Sequence, residues 1–373
     1  MRKIIFVTGT RADFGYIKSL IDICIQSDLY EISIFVTGTH LEKKHGYTVR
    51  EIYEYGYVNV YSCPNREDGD SMDIMLSKAI QGFSEVVKDF KPDMVVVMGD
   101  RIEMLAATIV SSLNNILTVH VQAGDVSGTI DDSLRHAISK MAHIHCCANN
   151  IAMKRLIKMG ENKDNMFVIG SPSIDNILYG NLPSIEEVKE KYNILFEKYS
   201  ILAFHPVTTE FDDTKRQIKN IVDTVIDSKL NYIVVSPNND MGYEFIFEEY
   251  KRFDDYDKVK IFPSIKYEYF LRLMSCSDFM IGNSSSAIIE AAYFSIPVVD
   301  IGTRQQGRGL TDNIFNCSYE KDDIKNSIGK VLNYSGESNK AFGGGKSSEL
   351  FLDILNSDKI WKISKQKKFN YDN

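Results

Sequence analysis

The sequence predicts an α/β protein of two Rossmann-like, doubly wound domains, each a parallel sheet with helices on both faces. Short β-branched apolar runs alternate with helix-period stretches about a dozen times, which is the signature of βαβ units. At 373 residues the chain is longer than one core usually sustains. Two strand series of similar size also lie on either side of Gly170-Ser171-Pro172. Two such sheets facing each other would gather the C-terminal ends of their strands around one cleft.

In chain order, the strand candidates of the first domain are 3–7, 31–36, 58–61, 94–98, 117–121, 143–147 and 167–169. Those of the second are 201–204, 232–235, 260–262, 279–281 and 298–301. Each is a short apolar run that ends in a Gly- or Asp-bearing turn. Between them, 72–90, 102–113, 215–228 and 286–294 place apolar residues at i, i+3, i+4 and i+7, which makes them amphipathic helices. The first domain is read as 1–173 and the second as 174–357. The Lys-rich tail 358–373 is expected to be a solvated last helix packed back on the first domain, and Gly343-Gly344-Gly345 a flexible surface loop.

Composition narrows the function classes. Apolar content of 44% and charged content of 25% are those of a soluble globular protein, and no apolar run approaches membrane-spanning length. A net charge of −8 argues against a nucleic-acid partner. The six cysteines form no Cys-x-x-Cys pair, and only four apolar residues follow Met1-Arg2-Lys3 before a turn, so a cytoplasmic protein with reduced thiols is expected.

Arginines collect just after predicted strands: Arg11, Arg101, Arg304 and Arg308, with Arg135 one turn into the helix after Gly124 to Asp132. In open α/β sheets ligands bind at that end. Taken singly, an Arg could instead serve a cap or a rim ion pair, but as a group they fit a ligand site better. A second anion-binding feature is Gly282-Asn283-Ser284-Ser285-Ser286, where a strand turns directly into a helix. Free N–H groups and hydroxyls there suit a phosphate, although serine is also a good helix cap. Neither a Walker A sequence nor Gly-x-Gly-x-x-Gly after the first strand is present, which argues against a dinucleotide cofactor. A diphosphate held between Ser284-Ser285 and arginines of the other domain fits better.

Asp100, Glu103, Asp125, Asp131 and Asp132 fall at the same strand ends, where a carboxylate can act as a general acid or base. One of Asp131 and Asp132 is expected to cap the helix that starts there. His205 follows a strand of the second domain and is a candidate for the cleft, as are, with less support, His120 and His136. His143, His145, Cys146 and Cys147 alternate along a strand and so point to opposite faces; no metal is assigned.

The set GTRADFG (9–15), TGTHLEKKHGYTVREI (37–52), MGDRIE (98–103), GDVSGTIDDSLRHAISK (124–140), FHPVTTE (204–210), SPNND (236–240), IGNSSSAIIE (281–290) and IGTRQQGR (301–308) resembles the hydrolysing UDP-N-acetylglucosamine 2-epimerase family. The match is in order and reaches to about residue 310. It is most similar to members of bacterial sialic acid and legionaminic acid synthesis. The resemblance implies a glycosyltransferase-B-like fold, a nucleotide-sugar substrate, no cofactor or metal, and a homodimer. It implies that Arg11 and Arg101 contact the substrate phosphates or sugar. Ser284 and Ser285 would hold the diphosphate, with Glu290 on the ribose hydroxyls. Asn238 and His205 match sugar- or phosphate-facing positions, Arg304 and Arg308 an Arg-bearing loop, and Asp100 and Asp131 catalytic carboxylates.

One position departs from the pattern. Many members read HIEGGE where this chain reads His120-Val121-Gln122-Ala123-Gly124-Asp125. Gln122 cannot take a proton as a carboxylate does. Either it positions substrate, or catalysis rests on Asp100, Asp131 and Asp125. The implied reaction expels UDP from C1 as a base takes the C2 proton. Water then adds to the resulting glycal to give N-acetylmannosamine. UDP- or GDP-N,N'-diacetylbacillosamine is the alternative substrate; a glycosyltransferase, or a nucleotide-sugar-binding protein without catalysis, is the alternative class.

Overall fold

The computed structural model describes residues 1–67, 69–237, 240–308 and 311–368. The chain divides into two compact units. One comprises Met1–Asp125, Asp131–Tyr179 and Phe342–Asn373, the other Val126–Ile130 and Gly180–Ala341.

The sheet of the first unit contains β1 (Arg2–Thr8), β2 (Tyr30–Val36), β3 (Val60–Ser62), β4 (Met94–Met98), β5 (Leu117–Val121), β6 (Ile144–Cys147) and β7 (Met166–Val168). Their order is β3-β2-β1-β4-β5-β6-β7, and every pairing is parallel. The sheet of the second unit contains β8 (Ser200–Ala203), β9 (Tyr232–Val235), β10 (Val259–Phe262), β11 (Met280–Gly282), β12 (Val298–Ile301) and β13 (Ile314–Cys317). Its order is β10-β9-β8-β11-β12-β13, again all parallel.

The central strands are apolar on both faces because helices cover both. Ile4, Ile5, Phe6 and Val7 of β1 are fully buried, as are Ile201 and Leu202 of β8. On one face of the first sheet, Ile5, Val7, Val95 and Val97 pack with Phe83, Val87, Met104 and Ile138. These come from the helices Met72–Phe90, Ile102–Leu113 and Ile130–Met141. Each such buried side chain contributes roughly 1.5–3 kcal/mol relative to exposure.

Strand order sets where chemistry can sit. In the first unit β1 has β2 on one side and β4 on the other, so the chain winds away in both directions from the β1/β4 boundary. The second unit repeats this at β8/β11. Loops leaving such a boundary go to opposite faces and open a crevice at the carboxyl ends of the strands.

Three features differ from the sequence reading. β13 was not expected, because Ile-Phe-Asn-Cys is an edge strand with Asn316 exposed and carries no continuous apolar run. The Gly343 region is a packing point rather than a free loop: Ser171 N donates to Phe342 O at 2.7 Å, and Asp175 accepts from the backbone of Lys346, Ser347 and Ser348. The tail is not simply solvated, since the Lys367 side chain is only 25% exposed and donates to buried groups of the first unit.

Candidate active site

At the β1/β4 boundary, β1 runs into the helix Arg11–Gln26, capped by Thr10, whose hydroxyl accepts from Asp13 N at 3.1 Å. Arg11 thus stands in the first turn, at the end of β1. It pairs with Glu51 of the helix Val49–Glu54. Asp13 lies in the field of Arg101, Glu103 and Asp100. Burial pushes its carboxyl up to about 6, against the opposing pull of Arg101.

After β4 the backbone turns at Gly99, with φ of +79°, a conformation that favours glycine. Gly99 N donates to Val121 O, and Gly99 O accepts from His120 Nε2 at 2.7 Å. The other nitrogen of His120 bonds Ser139 Oγ at 2.9 Å, and burial holds the imidazole well below its ordinary pKa. His120 is therefore a buried prop under the turn. The turn presents Asp100, whose carboxylate pairs with the buried Arg135. Arg135 also donates to Gln122 O at 3.3 Å. Arg101 occupies the N-cap position of the helix Ile102–Leu113, with no side-chain capping bond, and lies 3.5 Å from Glu103.

Gln122 is 6% exposed, with φ of +58°, a strained conformation for a residue with a side chain that costs about 1–3 kcal/mol. Its amide donates to Ser171 Oγ at 3.3 Å. Asp125 is nearly buried, with Arg155 at 3.9 Å. Asp131 and Asp132 occupy the first turn of the helix that carries Arg135, and His136 lies 3.4 Å from Asp132. The first unit thus joins Asp100, Arg135 and Gln122 directly, and sets Asp131 one turn from Arg135.

In the second unit the β8 and β11 loops are adjacent and clamped. Asn283 Oδ1 accepts from His205 N at 2.8 Å, and Asn283 Nδ2 donates to His205 O at 2.9 Å. Gly282, at φ of +129°, lets the strands close up: a Cβ there would stand 2.1 Å from Ala203 O. Ser284 and Ser285 follow, partly exposed, at the start of the eight-residue helix Ser286–Tyr293. Arg304 and Gln305 donate to Asn283 O at 3.1 and 2.8 Å, and Arg308 donates to Gln305 Oε1 at 3.1 Å. Glu290 is fully buried beside Tyr267, whose hydroxyl lies at 3.4 Å. Asn238 lies outside the described residues. A cavity of about 660 Å³ borders the arginine loop, lined by Gly302, Thr303, Gln305, Gly307 and Tyr319, a volume within the usual range for small-molecule sites.

Two carboxylates of this unit escaped the sequence reading. Glu210 accepts from Tyr319 Oη and Gln217 Nε2, both at 2.8 Å, and from Thr303 Oγ1. It ties the β8 loop to the loop after β12. Its place in FHPVTTE was visible, but two of its partners, Thr303 and Tyr319, lie 93 and 109 residues further on. Asp300 is buried at the end of β12, and burial pushes its carboxyl up to about 7 against Arg304 and Arg308.

The second unit offers cations, hydroxyls and a helix N-terminus that suit a phosphate group, and the first unit offers carboxylates on rigid strand ends that suit proton transfer. Residues 24–356 match the family model of UDP-N-acetylglucosamine 2-epimerase. The chain is 39% identical over 373 residues to a UDP-N-acetylglucosamine 2-epimerase of Neisseria meningitidis serogroup B, covering 99% of each chain. It is 36% identical to a UDP-N,N'-diacetylbacillosamine 2-epimerase (hydrolyzing) of Legionella pneumophila, over 95% of this chain and 96% of that one. Among solved structures it is similar to UDP-GlcNAc 2-epimerase of Methanocaldococcus jannaschii in complex with UDP-GlcNAc and UDP. The TM-score is 0.84 at 21% identity, over 95% of this chain and 99% of that one, and the shared fold is glycosyltransferase-B-like. With these likenesses spanning nearly its whole length, the chain belongs to the UDP-N-acetylglucosamine 2-epimerase family and is an enzyme of the nucleotide-sugar epimerase type.

Proposed function

We propose that the enzyme hydrolyses UDP-N-acetylglucosamine with inversion at C2, giving N-acetylmannosamine and UDP. The observation that carries this reading is the Asp100–Arg135 pair on the Gly99 turn, a carboxylate aimed from the β1/β4 boundary by a buried cation. In the first step a carboxylate takes the C2 proton while the C1–O bond breaks. UDP leaves with the bonding electrons and a C1=C2 glycal remains. In the second step water gives its hydroxyl to C1, and a proton is delivered to C2 from the opposite face.

Asp100 and Asp131 carry the two proton transfers, with Asp125 as the further carboxylate. Gln122, a neutral amide, positions the sugar. Ser284, Ser285, Arg304, Arg308 and His205 serve the nucleotide end, with Arg11 and Arg101 facing the departing charge. Stabilising that charge is a large share of the work, because one preorganised donor in such a site is worth about 10²–10³ in rate. We further assign a cytoplasmic homodimer. The 36% identity to the Legionella enzyme favours UDP-N,N'-diacetylbacillosamine as the second candidate substrate.

Incubation of the enzyme with each UDP-sugar in D₂O tests the reading. The expected products are UDP and a 2-epimerised free sugar with deuterium at C2. A C2 without deuterium, UDP release without inversion, or turnover only after an acceptor sugar is added would reject it.

A further inference from the structure

Behind the Asp100 turn, the first unit contains a buried polar cluster that the proposed reaction does not use. Its centre is Glu161, 1% exposed, which accepts from Lys140 Nζ and His145 Nε2, both at 2.9 Å, and from Lys367 Nζ at 2.5 Å. Lys367 arrives from the C-terminal segment that follows the short helix Asp358–Trp361. In the same segment Lys365 O accepts from His143 Nε2 at 3.1 Å.

The ammonium of Lys367 also reaches the end of the helix Ile130–Met141, donating to Ser139 O at 2.9 Å and Ala142 O at 2.6 Å. That helix needs such a donor. The N–H of His143, which would continue the ladder to Ser139 O, goes instead to Thr118 O at 2.9 Å. Carbonyls left over at a helix C-terminus must find other partners, and a cation there complements the helix dipole. The helix capped in this way carries Asp131 and Arg135 in its first half and Ser139 near its end. Arg135 grips Asp100, and Ser139 grips His120, which props Gly99 O.

We propose that Lys367 is a positioning residue: by capping the helix Ile130–Met141 from the C-terminal segment, it places Arg135 and the Gly99 turn so that Asp100 is aimed. The proposal rests on Asp100 acting as in the reaction above. Its test compares the full-length chain with Lys367→Met and Lys367→Arg. Misplacement by about 1 Å costs on the order of 10²-fold in rate, so a partial shift in Lys367→Met is expected to lower kcat about 10-fold. KM should change by less than about twofold, because ground-state binding is untouched. Lys367→Arg, which keeps the donors, should recover most of kcat.

Native-state hydrogen exchange at 99–104 and 138–142 should quicken in Lys367→Met, well below its melting temperature. An unchanged kcat, a loss carried by KM, no recovery with Arg, or unchanged exchange at 99–104 overturns the proposal. Should Lys367→Met fail to fold, Glu161→Gln supplies the same comparison by loosening the lysine. A wild-type chain that turns over neither sugar defeats the proposed reaction, while the exchange experiment still decides this inference.

Discussion

Asp100 owes its direction to neighbours on three different elements: the Gly99 backbone, Arg135 and His120. Replacing Asp100 by Asn keeps the shape and removes the proposed base. Turnover should fall by about 10²–10⁴, the usual worth of a general acid or base, with UDP affinity nearly unchanged in calorimetry. Unchanged turnover would remove Asp100 from the reaction. Asp300 makes a pH prediction. Its carboxyl is raised from 3.8 to about 7, so the folded state holds the proton more tightly than the unfolded chain. The stability tied to that protonated form is complete below pH 3.8 and is lost as pH rises through about 7. The melting temperature of Asp300→Asn should therefore decline less across this window than that of the wild type. Parallel curves would show that the group does not titrate there.

At the scale of elements, the second unit depends on clamps between loops rather than on contacts within them. Glu210 is one of these, joining the β8 loop to Thr303 and Tyr319. Glu210→Ala removes the 2.8 Å acceptor of Tyr319 Oη and that of Gln217 Nε2, which keeps only Asp213 at 3.5 Å, and a stranded buried donor costs about 1–3 kcal/mol. Chemical denaturation should show a loss of that order, together with weaker UDP binding, since Arg304 and Arg308 ride on the freed loop. Glu210→Gln, which keeps an acceptor oxygen, should lose less. An Ala variant as stable as the wild type would show that the clamp is dispensable. The same logic applies to Asn283, whose side chain is fully buried and bonded to the backbone on both sides of His205.

At the scale of the whole molecule, the two units carry different chemistry on the same winding pattern. Carboxylates paired with Arg11, Arg101 and Arg135 stand at the β1/β4 boundary, whereas a serine-led helix start with Arg304 and Arg308 stands at β8/β11 and the neighbouring loop. UDP alone should therefore protect the second unit first. At about 100 times its Kd a ligand stabilises its target by about 2.7 kcal/mol. Hydrogen exchange should slow at 204–208, 282–290 and 302–308, ahead of any change at 99–104. Protection confined to the first unit would reverse the assignment of the nucleotide end.

Much of this was legible in the chain itself. Alternating apolar runs determine parallel strands and helices because burial on both faces demands them. Arg, Ser and Asp placed just after those runs must emerge at one end of a sheet, since every parallel strand points the same way. The motif order from Gly9 to Arg308 identified the family on the same residues. Only the tertiary structure decided the pairings: Arg11 with Glu51, Asp100 with Arg135, Glu210 with Tyr319, and Lys367 with Glu161. These partners are 40, 35, 109 and 206 residues apart (367 − 161 for the last), too far for any local period to report them. Charge and spacing tell which residues reach a strand end. Which carboxylate meets which cation depends on how loops from non-consecutive strands come together, and that is fixed only when the sheet has formed.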